Sequence, residues 1–211
     1  MRHLRIWLAG FFVFAAAAGA HADNNNPLDC SKKSLADAVR AVSEPDRTLT
    51  FTGVCVGPIV ITADGLTLKG VGTAIIDGGG QHAVTIVGVG GVSLVDFEVT
   101  NGLTGIVARH GAHVSLSGVN AHHNSQSGLV LQTASSAVLS DVSLTDNARL
   151  GVVADDGVSL IVTTSTMTGN LVKDIQLTFG ARADLRTLTF GTYTCDATVL
   201  VRGTSGIVCP H

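Results

Sequence analysis

Short apolar runs separated by turn residues dominate this chain, and they return at a fixed interval. The runs at 106–108, 129–131, 152–154 and 175–177 each begin 23 residues after the one before. They are rich in β-branched residues and are separated by Gly, Asn and Ser every few residues, which is typical of strands and turns rather than helices. The spacing predicts coils of about three short strands, each coil stacked on a copy of itself.

Asparagines mark the same interval. They stand at Asn101, Asn124, Asn147 and Asn170, and the residues four positions later are Gly105, Gly128, Gly151 and, breaking the rule, Asp174. Parallel stacking at 4.7–4.9 Å would place the four amides above one another in a hydrogen-bonded ladder. We expect each asparagine to adopt a left-handed turn, and each glycine to free the backbone to enter the next strand.

The pattern Asn-x-x-x-Gly-[ILV]-x-[ALV], present at 124–131, resembles the parallel β-helix repeat of the pectate-lyase-like superfamily, and 66–70 and 75–80 look like early coils of it. The resemblance covers roughly residues 30–209. It implies an all-β, right-handed parallel β-helix of about seven coils of about 23 residues. Residues 139–147 also match the leucine-rich-repeat spacing, but a second alternating strand after every glycine favours the β-helix.

Both ends of such a stack need covers. Ser34-Leu35-Ala36-Asp37 is typical of a helix start, and Leu35, Ala38, Val39 and Val42 share one helical face, which predicts a short N-terminal capping helix that ends before Pro45. At the other end, residues 194–210 leave the 23-residue interval and are interpreted as the closing cap.

Four cysteines, Cys30, Cys55, Cys195 and Cys209, allow three pairings in principle. In an elongated stack only Cys30–Cys55 and Cys195–Cys209 lie within bonding reach, so we expect disulfides that staple the two ends. The alternative, a metal or redox site, is disfavoured because no C-x-x-C spacing is present.

Residues 1–22 are interpreted as a signal peptide, because Arg2 and Arg5 precede an apolar stretch and Ala20-His21-Ala22 is a small-x-small cleavage motif. A retained N-terminal anchor is the alternative. Residues 23–211 would then form one secreted or periplasmic β-helix domain, with no membrane span after cleavage. Loss of two arginines would change the formal net charge from -3 to -5, which disfavours nucleic acid as a partner.

Alternation along these strands places Ile106, Leu129, Val152 and Ile175 inward. It predicts two adjacent columns of outward-facing residues. The first column contains Val107, Val130, Val153 and Gln176, and the second contains Arg109, Gln132, Asp155 and Thr178. Pectate-lyase-like enzymes bind an elongated sugar chain along such a face. The resemblance therefore suggests Val107, Val130, Val153, Gln132 and Gln176 as ligand-binding candidates, and Arg109, Asp155 and Asp156 as catalytic candidates.

Asp155-Asp156 is similar to the paired aspartates of polygalacturonases, but the N-T-D, G-H-G and R-I-K motifs of that family are absent. No long insertion interrupts the repeats to wall a cleft. Our leading hypothesis is a non-catalytic structural or weakly glycan-binding monomer; the alternative is a small polysaccharide lyase, hydrolase or epimerase. We expect no cofactor and no metal, since His110 and His113 lie at a different corner from His122 and His123.

Overall fold

Residues 26–210 are described by a computed structural model, and the predicted signal peptide lies outside that range. In chain order the elements are β1 (Leu28–Asp29), α1 (Leu35–Arg40), β2 (Thr48–Val56), β3 (Ile59–Ile61), β4 (Thr67–Asp77), β5 (Val84–Val87), β6 (Val92–Val95), β7 (Glu98–Thr100), β8 (Thr104–Arg109), β9 (His113–Ser117), β10 (Asn120–His122), β11 (Ser127–Leu131), β12 (Ser136–Ser140), β13 (Ser143–Thr145), β14 (Leu150–Ala154), β15 (Ser159–Met167), β16 (Lys173–Leu177), β17 (Arg182–Phe190), β18 (Tyr193–Cys195) and β19 (Leu200–Gly203).

The strands stack in parallel into a solenoid of about seven turns. Its small sheet contains β3, β5, β8, β11, β14, β16 and β18. The other strands form the large sheet, which has two limbs joined where β2, β4, β15 and β17 continue around a corner. Strands β6, β9, β12 and β19 belong to the first limb, whereas β7, β10 and β13 belong to the second. One coil therefore runs from the first limb through the second limb to the small sheet.

The core confirms the inward positions that alternation predicted. Ile106, Leu129, Val152 and Ile175 pair directly from strand to strand of the small sheet and are fully buried. Aliphatic side chains from all three sides of the coil meet them in one continuous core. Burial of this apolar column in each added coil is the main driving force for stacking.

The asparagine ladder exists, but it contains three of the four predicted members. Asn124 Nδ2 donates to Asn147 Oδ1, and Asn147 Nδ2 donates to Asn170 Oδ1, both at 3.0 Å. Asn101 is exposed and instead donates to Asp77 Oδ1 at 2.8 Å. The neighbouring Gly102 takes its place, since the Gly102 amide donates to Asn124 Oδ1 at 3.0 Å. The expected inclusion of Asn101 is therefore wrong.

The predicted left-handed conformation is also wrong for the ladder asparagines, since only Asn101, outside the ladder, has a positive φ of 55°. The turn is made by the residue before each ladder position, as at His123 (53°) and Asp146 (54°). The buried asparagine is thereby left with an ordinary backbone, and its amide side chain is directed along the stack.

The glycines four residues after the regularly spaced asparagines are required because there is no room for a side chain, and not because the backbone needs a positive φ. Gly105, Gly128 and Gly151 do not have positive φ. A Cβ on Gly128 would lie 2.9 Å from Gly151 O and 3.0 Å from Asn147 Nδ2, contacts that side-chain carbons rarely make. The glycine thus makes room for the asparagine of the next coil, which corrects the role expected from the sequence.

Asp174 ends the ladder because the next coil is shortened. Ile175 pairs with Tyr193 only 18 residues later, so the following coil has lost its asparagine corner. The Asp174 carboxylate fills the vacated place: its Oδ1 accepts from the Asn170 amide (3.2 Å) and from Asn170 Nδ2 (2.8 Å), and its Oδ2 accepts from the amides of Gly191 (2.9 Å) and Thr192 (2.7 Å). The 23-residue interval is therefore lost before residue 194, earlier than predicted.

Both predicted end structures are present. Helix α1 begins after Ser34, whose Oγ accepts from the Asp37 amide at 3.1 Å, and it packs Leu35 and Val39 against the first coil. Disulfides join Cys30 to Cys55 and Cys195 to Cys209, with Cα–Cα distances of 5.0 and 5.5 Å. Buried Ile207 and Cys209 cover the C-terminal end of the core.

Replacing Gly128 with alanine should lower the free energy of unfolding by about 2 kcal/mol, because the added methyl group overpacks the buried ladder corner. Gly111→Ala tests a glycine whose added Cβ would meet nothing within 4 Å but whose φ is 74°. Denaturant unfolding of both variants separates crowding from backbone strain. A Gly128→Ala variant as stable as the parent would contradict the packing role.

Candidate ligand-binding site

The first candidate surface, the outward column of the small sheet, is less exposed than predicted. Val107 and Val153 are only 5% and 8% exposed, while Val130 and Gln176 are half-buried. The outward phase is correct because the residues on either side of each point into the core, but the expected solvent exposure is wrong for Val107 and Val153. Ligand binding by this column stays a prediction.

The three catalytic candidates do not form one cluster. Arg109 and Asp155 lie in the second column two coils apart, which corresponds to about 10 Å. Asp155 Oδ1 accepts a hydrogen bond from Thr178 Oγ1 at 3.2 Å, so this carboxylate is directed to the following coil, away from Arg109. Asp156 lies in the next turn with a φ of 61°. Gln132 is exposed between Arg109 and Asp155.

The histidines bond to near neighbours. His122 Nδ1 lies 2.6 Å from His123 Nδ1, and His122 Nε2 lies 3.4 Å from Glu98 Oε2. His113 Nδ1 lies 2.5 Å from Ser136 Oγ in the adjacent strand. Between residues 26 and 210, no group of three or more His, Cys, Asp or Glu side chains is placed to hold a metal ion.

A different surface offers a depression: the outer face of the first limb near the C-terminal end. It has a volume of about 460 Å³ and is open to solvent. The residues that line it are Ser159, Leu160, Ile161, Arg182, Ala183, Asp184, Leu200 and Arg202. They come from the adjacent strands β15, β17 and β19.

Strand alternation positions the polar groups of this depression. Arg182, Asp184 and Arg186 are two residues apart on β17 and share its outward face, while Ala183 and Leu185 are buried between them. Register then places Ile161 and Arg202 on either side of Asp184. The floor is thus partly apolar and its charged groups are mostly guanidinium groups.

The electrostatics of the depression are positive although the chain as a whole is acidic. Arg186 binds Asp184 through two hydrogen bonds, Nε to Oδ1 at 3.0 Å and Nη2 to Oδ2 at 2.6 Å. These bonds, with the charges of Arg186 and Arg202, lower the pKa of Asp184 below its ordinary value. Within the described part of the chain, Arg182 and Arg202 form no ion pair with a carboxylate. Their guanidinium groups are therefore available to an anionic ligand.

A family model described as "Right handed beta helix region" matches residues 59–199. The chain belongs to this family. Comparison with curated proteins and with solved structures gave no match.

The β-helix also presents regular polar columns that lead to the depression. One column runs across successive strands through His113, Ser136, Ser159 and Arg182. Beside it, Val138 and Ile161 form an apolar column, 46% and 40% exposed. Another polar column contains Ser117, Ser140 and Thr163. Polar columns on both sides of an apolar one suit a sugar ring, which has an apolar face and a hydroxyl rim.

Sequence reasoning missed this surface because it followed the strand after each glycine and ignored the strand before the corner. The signal was present in part: Arg182-x-Asp184-x-Arg186 alternates as an outward strand should, and Arg182 lies 23 residues after Ser159. Arg202 gave no such signal, since it pairs with Asp184 at an interval of 18 residues.

Between residues 26 and 210, no helix is long and apolar enough to cross a membrane.

Proposed function

We propose that this chain is an exported, non-catalytic module that binds an acidic polysaccharide along the outer face of the first limb. The observation that carries the proposal is the depression between the Arg182 and Arg202 guanidinium groups, at the end of regular hydroxyl and apolar columns. Export is supported by the apolar N-terminal stretch with its cleavage motif and by the two disulfides, which persist in oxidising compartments.

A polysaccharide suits this surface because both are linear and repetitive. Successive strands are 4.7–4.9 Å apart, close to the length of one extended pyranose unit, so one sugar can face each coil. Ser136 and Ser159 would bond to sugar hydroxyls, Val138 and Ile161 would contact the ring faces, and Arg182 would bind a carboxylate.

A binding role suits the depression better than hydrolysis. Glycoside hydrolysis requires a carboxylic acid that donates a proton together with a second carboxylate. Asp184 is the one carboxylate that lines the depression, and Arg186 lowers its pKa, which keeps it ionised at neutral pH. An ionised carboxylate already bound to arginine orients its partner rather than donating a proton.

We expect Arg182→Gln and Arg202→Gln each to weaken binding to polygalacturonate by about tenfold, the effect of losing one charged hydrogen bond at a partly exposed site. Isothermal titration at low ionic strength measures this, and added salt should weaken parent binding. Arg109→Gln is the matched control, because it removes an exposed arginine from the small sheet.

Three results would contradict the proposal. A loss of affinity in Arg109→Gln, with none in Arg182→Gln, would move the site to the small sheet. Release of unsaturated or reducing ends from polygalacturonate or alginate would support the enzymatic alternative; abolition of that release by Arg109→Ala or Asp155→Ala would assign it to the catalytic candidates. Equal affinity for neutral hydroxyethylcellulose would refute recognition of acidic groups.

A further inference from the structure

One wall of the depression belongs to a covalently closed loop. The Cys195–Cys209 disulfide encloses strand β19, and that strand supplies Leu200 and Arg202 to the depression. The other lining residues lie on β15 and β17, outside the loop. One of the two unpaired guanidinium groups is thus carried by the loop, and the other by the body of the solenoid.

The backbone pairing of strand β19 is short and holds the strand only weakly. It has four residues and pairs with β17 on one side only. Hydrogen bonds from the Leu200 amide to Ala181 O and from the Thr204 amide to Leu185 O, both 3.0 Å, flank this short pairing. A short edge strand with one neighbour belongs to the parts of a protein that open most easily.

The loop is anchored at its two ends. Val199 is buried just before β19, and Ile207 and Cys209 are buried after it, where they cover the last core layer. The disulfide ties this covering segment to Cys195, at the end of small-sheet strand β18. The path from Cys195 to Cys209 is therefore fixed at both ends, and β19 is constrained between them.

We propose that the Cys195–Cys209 disulfide is a positioning element of the binding site: it holds Arg202 of β19 beside Asp184, in the depression that Arg182 also lines, so that both guanidinium groups reach one ligand. This inference rests on the proposed function. It sets the two disulfides apart, because Cys30–Cys55 closes the far end of the solenoid, and neither it nor the loop it forms supplies a lining residue.

The test compares two double variants, Cys195→Ala with Cys209→Ala, and Cys30→Ala with Cys55→Ala. Amide hydrogen exchange of residues 200–203 and of residues 136–140 is followed in each, together with affinity for polygalacturonate. In the C-terminal variant we expect exchange at 200–203 to accelerate at least tenfold while 136–140 stays protected, and affinity to fall about as far as in Arg202→Gln. The N-terminal variant should keep the affinity of the parent.

The remaining outcomes show whether the positioning role or the proposed function fails. Unchanged exchange at 200–203 would refute the positioning role, whether or not any polysaccharide binds. Loss of protection at 136–140 as well would also refute it, since the disulfide would then support the whole solenoid rather than the site. If exchange accelerates as expected but the parent protein binds no polygalacturonate, the disulfide does hold β19 and it is the proposed function that fails. Equal loss of affinity in both double variants would deny the disulfide a specific role.

Discussion

Asn147→Ala is expected to lower the free energy of unfolding by about 4 kcal/mol, because it breaks the ladder in its middle. Asn147 Oδ1 accepts from the Asn124 amide (3.1 Å) and from Asn124 Nδ2 (3.0 Å). Its own Nδ2 donates to Asn170 Oδ1 (3.0 Å) and to Ala121 O (3.1 Å). Alanine would remove all four bonds at a fully buried site and would leave the buried Asn124 amide without the Asn147 oxygen that accepts from it.

Asn101→Ala is the matched control, since the same residue type is removed at an equivalent sequence interval. Asn101 is exposed, and its side chain bonds to Asp77, so the loss should stay below about 1 kcal/mol. Equilibrium denaturation in guanidinium chloride with matched thermal melts measures both variants. If the two substitutions cost the same, the buried ladder is not what stabilises this corner.

The inward-facing core could be predicted from sequence because its cause is local and repeated. Every stacked coil must bury the same side of its small-sheet strand, so Ile106, Leu129, Val152 and Ile175 recur at the interval that the stacking imposes. The end structures were predictable for a similar reason: an open stack end requires a cover, and Ser34 and the paired cysteines are recognisable signals.

The place of Asn101 could not be predicted from spacing alone. The small-sheet pairing of Val84 with Ile106 spans 22 residues, one fewer than in the later coils. A coil that is one residue shorter moves the ladder position to Gly102, although the next asparagine still follows Asn101 by 23 residues. The interval of 23 residues between Asn101 and Asn124 is therefore a coincidence. Only the strand register shows that Gly102, and not Asn101, occupies the ladder position.

The proposed binding surface could not be predicted from the sequence, for two physical reasons. Exposure of a strand residue depends on its neighbours, and Val107 and Val153 are shielded although they point outward. In addition, Arg182 and Arg202 line one depression only because the last coil has 18 residues, a change of length that the repeat pattern does not predict. Sequence periodicity predicts the regular part of a solenoid, while departures from it create the depression where the site is proposed.

Asp174→Ala is expected to lower the free energy of unfolding by about 4 kcal/mol, because a carboxylate that is only 3% exposed satisfies four N–H groups at the end of the ladder. Asp174→Asn should lose about half as much, since an amide keeps one accepting oxygen and turns an NH₂ group toward the Gly191 and Thr192 amides. Asp156→Asn, at an exposed turn, is the control and should be neutral.

The effect of Asp174 should depend on pH in a defined direction. Burial by itself would raise the pKa of Asp174, but the hydrogen bonds from Thr192, Asn170 and Gly191 together outweigh it and lower the pKa below the ordinary 3.8. A carboxyl group whose pKa is lower in the folded protein stabilises it above the unfolded pKa, and this contribution is lost as pH falls toward the folded value. The stability gap between the parent and Asp174→Asn should therefore be constant from pH 7 to about 5 and shrink below the ordinary 3.8.

Because the variants share every other carboxylate, including Asp29 and Asp184 with their own lowered pKa values, the difference isolates Asp174. A gap that stays constant down to pH 2 would mean that folding does not lower the pKa of Asp174, and stabilisation by its negative charge at the end of the ladder would have to be abandoned.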